Sequence, residues 1–170
     1  MRRIASALLV AALALTSAGA GATAESGPAA TDFALVTLTT MPAGWSQRTD
    51  LRPHLQVYAD GRAVHRPDAT APDRDPGTEP REVVGTVPRE ALDKALTEIR
   101  ALADTDFGAP AGTDQGSQII DLMPENPAED VHLILYAPDA TDGLSAEQRD
   151  ARTRFTALYR GLLDAFRGTS

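Results

Sequence analysis

Residues 117–138 read SQIIDLMPENPAEDVHLILYAP, and this stretch decides the fold of the chain. It holds the densest apolar run outside the N-terminus, in two segments separated by a turn of proline, asparagine and acidic residues. Two short apolar segments around such a turn are typical of a β-hairpin with a longer loop. An amphipathic helix pattern lies on each side, so the sequence predicts a central hairpin between two helices.

Both helices have recognisable starts. The first is predicted to begin at Pro88, because proline is favoured at the first helical position. The second is predicted to begin at Ser145, which forms a capping-box pattern with Gln148. Apolar residues recur at helical spacing in each. In the first they are Ala91, Leu92, Ala95, Leu96, Ile99 and Leu102, and in the second Ala151, Phe155, Leu158, Leu162 and Phe166.

Strand patterns precede the first helix. Residues 32–40 (DFALVTLTT) are β-branched and apolar on both faces, which is typical of a strand well inside a sheet. Residues 82–87 (EVVGTV) predict a short strand, and residues 55–66 (LQVYADGRAVHR) alternate around Asp60-Gly61, as in a hairpin with a type I′ turn. This order of elements predicts an α+β fold. We expect a mainly antiparallel sheet of about six strands, with the two amphipathic helices packed on one face.

The type I′ turn also predicts which residues of the first hairpin share a face. It pairs Val57 with Val64 and Gln56 with His65. The predicted core side consists of Leu55, Val57 and Val64. The predicted outer side consists of Gln56, Tyr58, Ala63 and His65.

The N-terminus has the pattern of a secretory signal peptide. Arg2 and Arg3 precede an apolar run at residues 4–15, which is shorter than the roughly 20 residues that a membrane-spanning helix needs. An A-x-A pattern at residues 22–24 predicts cleavage after residue 24, and overlapping patterns earlier in the chain compete with it. We therefore expect a secreted, extracellular protein. Both the general and the twin-arginine export routes stay open.

The remaining sequence fits one domain. We expect a signal peptide at 1–24, a flexible leader at 25–31 and a single domain at 32–168, with long loops at 66–82 and 104–116. The chain contains no cysteine, so it lacks both disulfides and the thiol that a lipid anchor needs. Loss of two arginines with the signal peptide would take the net charge from −8 to −10. Acidic balance argues against nucleic acid or an anionic membrane as partner.

No established catalytic or metal-binding pattern occurs. The three histidines, His54, His65 and His132, have no second ligand at metal spacing. The acidic run that starts at Asp73 departs from a calcium loop at its glycine and final glutamate positions. Nucleophile elbows and phosphate-binding loops are absent too. We therefore predict no catalytic residues, no metal site and no cofactor.

One surface patch is a candidate for binding. Tyr58 and His65 belong to the predicted outer face of the first hairpin, and His132 and Tyr136 alternate with the core residues of the central hairpin. If both hairpins join one sheet, these four residues form an exposed aromatic and histidine patch, as interaction sites do. The alternative is that loops cover them and that they are ordinary packing residues.

Several segments resemble a group of secreted actinobacterial proteins of unknown function. The segments are LQVYADGRAV at 55–64, PREALDKALTEIRAL at 88–102, DFGAPAGTD at 106–114 and LSAEQRDARTRFTALYRGLLDAF at 144–166. The resemblance covers residues 32–167, and the hairpin and final helix are its most specific parts. It implies an exported, single-domain α+β protein and supplies no catalytic residues. Many proteins of the group look lipid-anchored, whereas this chain lacks the required cysteine.

Three functions stay open from the sequence. The first is a non-enzymatic extracellular binding module, whose partner would be an extracellular protein or a cell-envelope component. The second is a secreted hydrolase with an unrecognised histidine or carboxylate site. The third is a peptidase inhibitor that inserts one of the two long loops. The missing catalytic motifs favour the first, and the sequence specifies neither the ligand nor the oligomeric state.

Overall fold

The computed structural model of the protein describes residues 33–45, 48–110 and 115–169. They belong to one compact unit at residues 31–170. The predicted signal peptide at 1–24, the predicted leader at 25–31 and part of the predicted loop at 104–116 lie outside the described residues.

An antiparallel sheet of seven strands organises the described part of the chain. Its strand order is β6-β5-β1-β2-β3-β4-β7, and all neighbours are antiparallel. The strands are β1 (Val36–Met41), β2 (Leu55–Val57), β3 (Arg62–His65), β4 (Val83–Thr86), β5 (Ser117–Leu122), β6 (Val131–Tyr136) and β7 (Arg167–Gly168). The predicted α+β class with a mainly antiparallel sheet is confirmed.

Two helices, α1 (Arg89–Ala101) and α2 (Ala146–Ala165), pack on one face of this sheet. Helix α1 begins at Arg89, one residue after the predicted start, and Pro88 is its N-cap with an extended ψ of 140°. A proline fits at a helix start because its missing N–H leaves no unpaired donor there. At α2 the Ser145 hydroxyl accepts from the Gln148 N–H and the Gln148 side chain accepts from the Ser145 N–H. The predicted capping box is therefore present.

The core lies between the helices and one face of the sheet. Phe155 at the centre of α2 is fully buried and packs edge-on against Phe107. Tyr159 reaches β1, where its hydroxyl hydrogen-bonds the Thr40 hydroxyl at 2.9 Å, and burial raises its pKa to about 12. The fully buried strand residues include Val36, Leu38, Leu55, Val57, Ala63, Ile120, Leu122, Leu133 and Leu135.

The register predicted for the first hairpin is wrong by one residue. Val57 pairs with Ala63 and Leu55 with His65, so Ala63 and His65 lie on the core side. Val64 takes the outer side, opposite Gln56. The cause is the turn: Gly61 alone has a positive φ, 86°, and Tyr58 N–H bonds Arg62 C=O across three residues. A type I turn followed by a left-handed glycine spares Asp60 the strained conformation that a type I′ turn demands.

The seventh strand, β7, exceeds the predicted number of about six. It consists of two residues that directly follow α2 and pair with β4, Gly85 opposite Gly168. A Cβ on Gly85 would lie 2.2 Å from the Arg167 carbonyl oxygen and 2.6 Å from the Phe166 ring. The glycine therefore permits the end of α2 to close onto the sheet.

Polar contacts hold two loop segments, residues 66–82 and the segment around Asp106, against the rest of the domain. In the segment 66–82, Arg74 forms an ion pair with Asp50 at 2.8 Å, and Ala69 is fully buried. Near the start of α2, the Gln148 amide donates to Asp106 at 2.8 Å. The Gly108 N–H also donates to Asp106, and this bond, with a smaller contribution from Gln148, holds the pKa of Asp106 below its usual value. Both connections are thus attached to the body of the domain.

Candidate functional site

The side of the sheet opposite the helices is called here the helix-free face. Alternation along the strands places on it the residues that are out of phase with the core. Thr37 in β1 is level with Asp121 in β5 and His132 in β6. The residues on this face include Thr37, Thr39, Gln56, Val64, Val84, Ile119, Asp121, His132, Ile134 and Tyr136.

Three polar side chains are joined across this face. The Thr37 hydroxyl donates to Asp121 Oδ2 at 3.2 Å, and Asp121 Oδ1 contacts His132 Nδ1. The His132 side chain is 58% exposed and that of Asp121 28%. Because Asp121 holds Nδ1, the imidazole orientation is fixed and Nε2 is the nitrogen available to a ligand.

An apolar strip lies beside this polar row. Ile134 is opposite Ile119, and Tyr136 is opposite Ser117 at the end of the same two strands. Ile134 is 46% exposed, although it lies in the middle of a six-residue strand. The β5–β6 part of the face thus combines an oriented histidine with exposed apolar surface.

Strand β6 is also an edge of the sheet, since β5 is its only neighbour within the described residues. The segment 117–148 that contains it has no lysine or arginine. Apart from the contact of Asp121 with His132, none of its acids is in an ion pair among the described residues. Those acids are Glu125, Glu129, Asp130, Asp139, Asp142 and Glu147. The carboxylates that border the edge therefore form no ion pair among the described residues.

The four residues predicted as one patch are not brought together. His132 and Tyr136 share the helix-free face of β6. Tyr58 lies at the β2–β3 turn, where Arg62 covers its ring at 4.9 Å. Three strand spacings of about 4.8 Å separate β2 from β6, and His65 is on the core side because of the shifted register.

His65 instead belongs to an aromatic cluster on the core side of the sheet, together with Phe166 and His54. Its ring centre is 5.2 Å from that of Phe166 and 5.3 Å from that of His54. Burial lowers the pKa of both histidines, with a smaller contribution from His65 on His54 and from Arg81 on His65. The cluster favours neutral imidazoles, and we assign it to packing.

Sequence reasoning missed a buried arginine. Arg152 is 4% exposed, and its guanidinium donates to the carbonyl oxygens of Phe107, Tyr136 and Ala137. Burial lowers its pKa. The helical pattern contains a signal for this, because Arg152 lies three and seven residues before the buried Phe155 and Tyr159 and so shares their side of α2.

Within residues 33–45, 48–110 and 115–169, no group of three or more histidine, aspartate or glutamate side chains is placed to hold a metal ion. Among the same residues, no helix has the length and apolar character needed to cross a bilayer. Comparison of the chain with models of protein families, with curated proteins and with solved structures found no match. The resemblance to secreted actinobacterial proteins stays a prediction.

Proposed function

We propose that this protein is an exported, non-enzymatic binding module that takes up an extended basic segment of another protein along strand β6. The observation that carries the proposal is the combination of an edge strand, β6, whose only strand neighbour in the described sheet is β5, with carboxylates on both sides of it that form no ion pair among the described residues. The predicted signal peptide supports an extracellular partner.

The edge supplies the main-chain part of recognition. In an edge strand, alternate residues direct their N–H and C=O groups away from the sheet, where an extended peptide can pair with them. Natural sheets commonly protect such edges with lysine, proline or a bulge. Strand β6 reads VHLILY over Val131–Tyr136 and contains none of these residues, so it is suited to accept a further strand.

Charge selects a basic ligand. Glu125, Glu129 and Asp130 precede β6, and Asp139 and Asp142 follow it; all five are exposed. A strand of six residues spans about 20 Å, so lysines or arginines at both ends of a bound segment would meet acidic side chains. Complementary charge accelerates encounter and excludes acidic competitors.

Side chains of the helix-free face supply specificity. A strand added beside β6 would place every second side chain next to His132, Ile134 and Tyr136. The oriented His132 imidazole is suited to bind a polar group, and the exposed Ile134 is suited to an apolar one. A segment that alternates basic or polar residues with apolar ones fits this surface best.

The test is a binding titration of a fluorescent Lys-Val repeat peptide, with a Glu-Val repeat peptide as the charge control. The variant Ile134→Lys changes the β6 surface, and Val84→Lys makes the same change at a residue that is 59% exposed at the far side of the helix-free face. We expect saturable binding of the basic peptide that falls at least tenfold in Ile134→Lys and stays within twofold in Val84→Lys.

Three results would overturn the proposal. They are equal binding of the acidic peptide, equal binding by both variants, and concentration-dependent dimerisation that Ile134→Lys abolishes. The last result would mean that a second copy of the chain occupies β6, and sedimentation of the unliganded protein measures it directly.

The contact between Asp121 and His132 favours a hydrolase as the second candidate. A carboxylate that holds Nδ1 leaves Nε2 to act as a general base. Turnover of ester or peptide substrates that is lost in both His132→Gln and Asp121→Asn would establish this activity. Turnover that survives both substitutions would exclude this pair as its source.

A further inference from the structure

The outer side of α2 borders a cavity that the proposed function does not use. Its volume is about 410 Å³, within the size range of small-molecule sites. The loop that follows β6 closes one side of it. The polar residues that line it are Thr141, Arg149, Arg152, Thr153, Thr156 and Arg160.

The charged residues that line this cavity are all arginines. Three of its lining residues are arginines and none is acidic, in a protein whose net charge is −8. Arg152 is buried at its floor and contacts only carbonyl oxygens, so no carboxylate neutralises it. Asp139 and Asp142 belong to the neighbouring loop and form no ion pair with these arginines.

The two exposed arginines of the cavity, Arg149 and Arg160, are called the outer arginines, and both retain N–H donors for a ligand. Arg149 makes one hydrogen bond, to the Leu144 carbonyl oxygen at 2.6 Å. Arg160 makes no side-chain hydrogen bond or ion pair within the described part of the chain. A guanidinium carries five N–H donors in a planar fork that fits phosphate and carboxylate oxygens. Most of the donors on these two side chains are therefore free to bind an anion.

Spacing along the helix selects an elongated ligand. Arg149 and Arg160 are eleven residues apart, which corresponds to about 16 Å along the axis of α2. One small anion would reach both guanidinium groups only if both side chains extended fully towards each other. Two linked anionic groups would bind one at each end, with the threonine hydroxyls between them.

We propose that this cavity binds a small polyanion carrying two or more phosphate or carboxylate groups, held by Arg149 and Arg160 above the buried positive charge of Arg152. The site is on α2 and does not depend on peptide binding at β6. General electrostatics support the proposal, because a cavity lined by arginines and by no acidic residue attracts anions.

The test is calorimetric titration of the purified protein with tripolyphosphate and with citrate at low ionic strength. Inorganic phosphate serves as the single-group probe. The double variant Arg149→Gln/Arg160→Gln removes the two outer arginines, and Arg100→Gln removes an exposed arginine of α1 that does not line the cavity. Thermal melts of all variants verify that they fold.

We expect one-to-one binding of tripolyphosphate that is at least tenfold tighter than that of inorganic phosphate. Binding should weaken at least tenfold in the double variant, change less than twofold in Arg100→Gln, and weaken with added salt. Binding of tripolyphosphate without citrate would assign the site to phosphates, and binding of both would assign it to polyanions in general. Absence of saturable binding would overturn the proposal, as would equal losses in the double variant and Arg100→Gln.

Discussion

Replacement of Arg152 by methionine tests whether the buried guanidinium holds the helix layer to the sheet. Methionine approximates the length of the arginine stem but donates no hydrogen bond. The carbonyl oxygens of Phe107, Tyr136 and Ala137 then lose the Arg152 donor, whereas the Ala137 oxygen keeps the Ala140 N–H at 3.0 Å. Loss of the donor to a buried polar group costs about 1–3 kcal/mol, so the losses at Phe107 and Tyr136 together cost about 2–6 kcal/mol.

Part of this cost is offset. The native protein buries a charged group, and removal of that group relieves several kcal/mol of desolvation. Hydrogen bonds to a charged group nevertheless contribute about 1.5–3 kcal/mol each, and the Arg152 guanidinium donates to three carbonyl oxygens. We therefore expect the free energy of unfolding to fall by about 3–5 kcal/mol, which is a large part of the typical total for one domain.

Urea denaturation followed by tryptophan fluorescence measures the change. Trp45 is the only tryptophan and is 9% exposed, so unfolding changes its surroundings. The matched control is Arg160→Met, which makes the same change of charge on the same helix at an exposed position and should cost about 0.5 kcal/mol or less. A loss below 1 kcal/mol in Arg152→Met, or equal losses in both variants, would refute the reasoning.

Three further predictions concern glycines and histidines. Gly85→Ala should lower the free energy of unfolding by about 1–3 kcal/mol, because the new Cβ must displace the backbone at Arg167. Thermal melts measure the change, and an unchanged melting temperature would contradict the close approach of Gly85 to the Arg167 carbonyl oxygen. Gly161→Ala should raise the free energy of unfolding by about 0.5–1 kcal/mol, since the position is inside α2 and a new Cβ would meet no atom within 4 Å beyond its chain neighbours and its own helix backbone. A lower melting temperature would show a contact that the structure lacks. His54 and His65 have pKa values lowered from 6.5, so their contribution to stability is complete above about pH 6.5 and is lost as the pH falls through the lowered values. The decrease in urea midpoint from pH 7.5 to 5 should be smaller in His54→Gln/His65→Gln, and an unchanged slope would assign the pH dependence to other groups.

Local chemistry explains which parts of the fold were predictable. Ser145 and Gln148 contact each other within one turn, so a sequence pattern is sufficient to locate the start of α2. The register of the first hairpin depends on its turn, and Asp60-Gly61 is compatible both with a type I′ turn and with a type I turn followed by a left-handed glycine. The second turn shifts the register by one residue and so places His65 on the core side of the sheet. Strand β7 has two residues, too few to produce a pattern, and exists because Gly85 leaves room for it.

The candidate site was harder to predict because it is assembled across strands. His132 was predicted as a site residue because it alternates with core residues. The contact of Asp121 with His132 depends on the β5–β6 register, which the sequence does not specify. The contacts of Arg152 were equally hard to predict, because they also join residues that are distant in the sequence. Its partners are main-chain oxygens, which any residue type supplies, so no second side chain in the sequence indicates the contact.

The position of β1 in the sheet has a consequence for the order in which the protein folds. This strand pairs with β2 on one side and with β5 on the other, and its register joins Val36 to Leu122. The β2–β3–β4 and β5–β6 groups can each form from nearby residues, but the contact between them closes a long loop and is therefore slow. We expect two preformed ladders that dock on either side of an N-terminal strand, with β7 added from the last residues of the chain. A bound segment at β6 would lengthen one ladder without interfering with that closure.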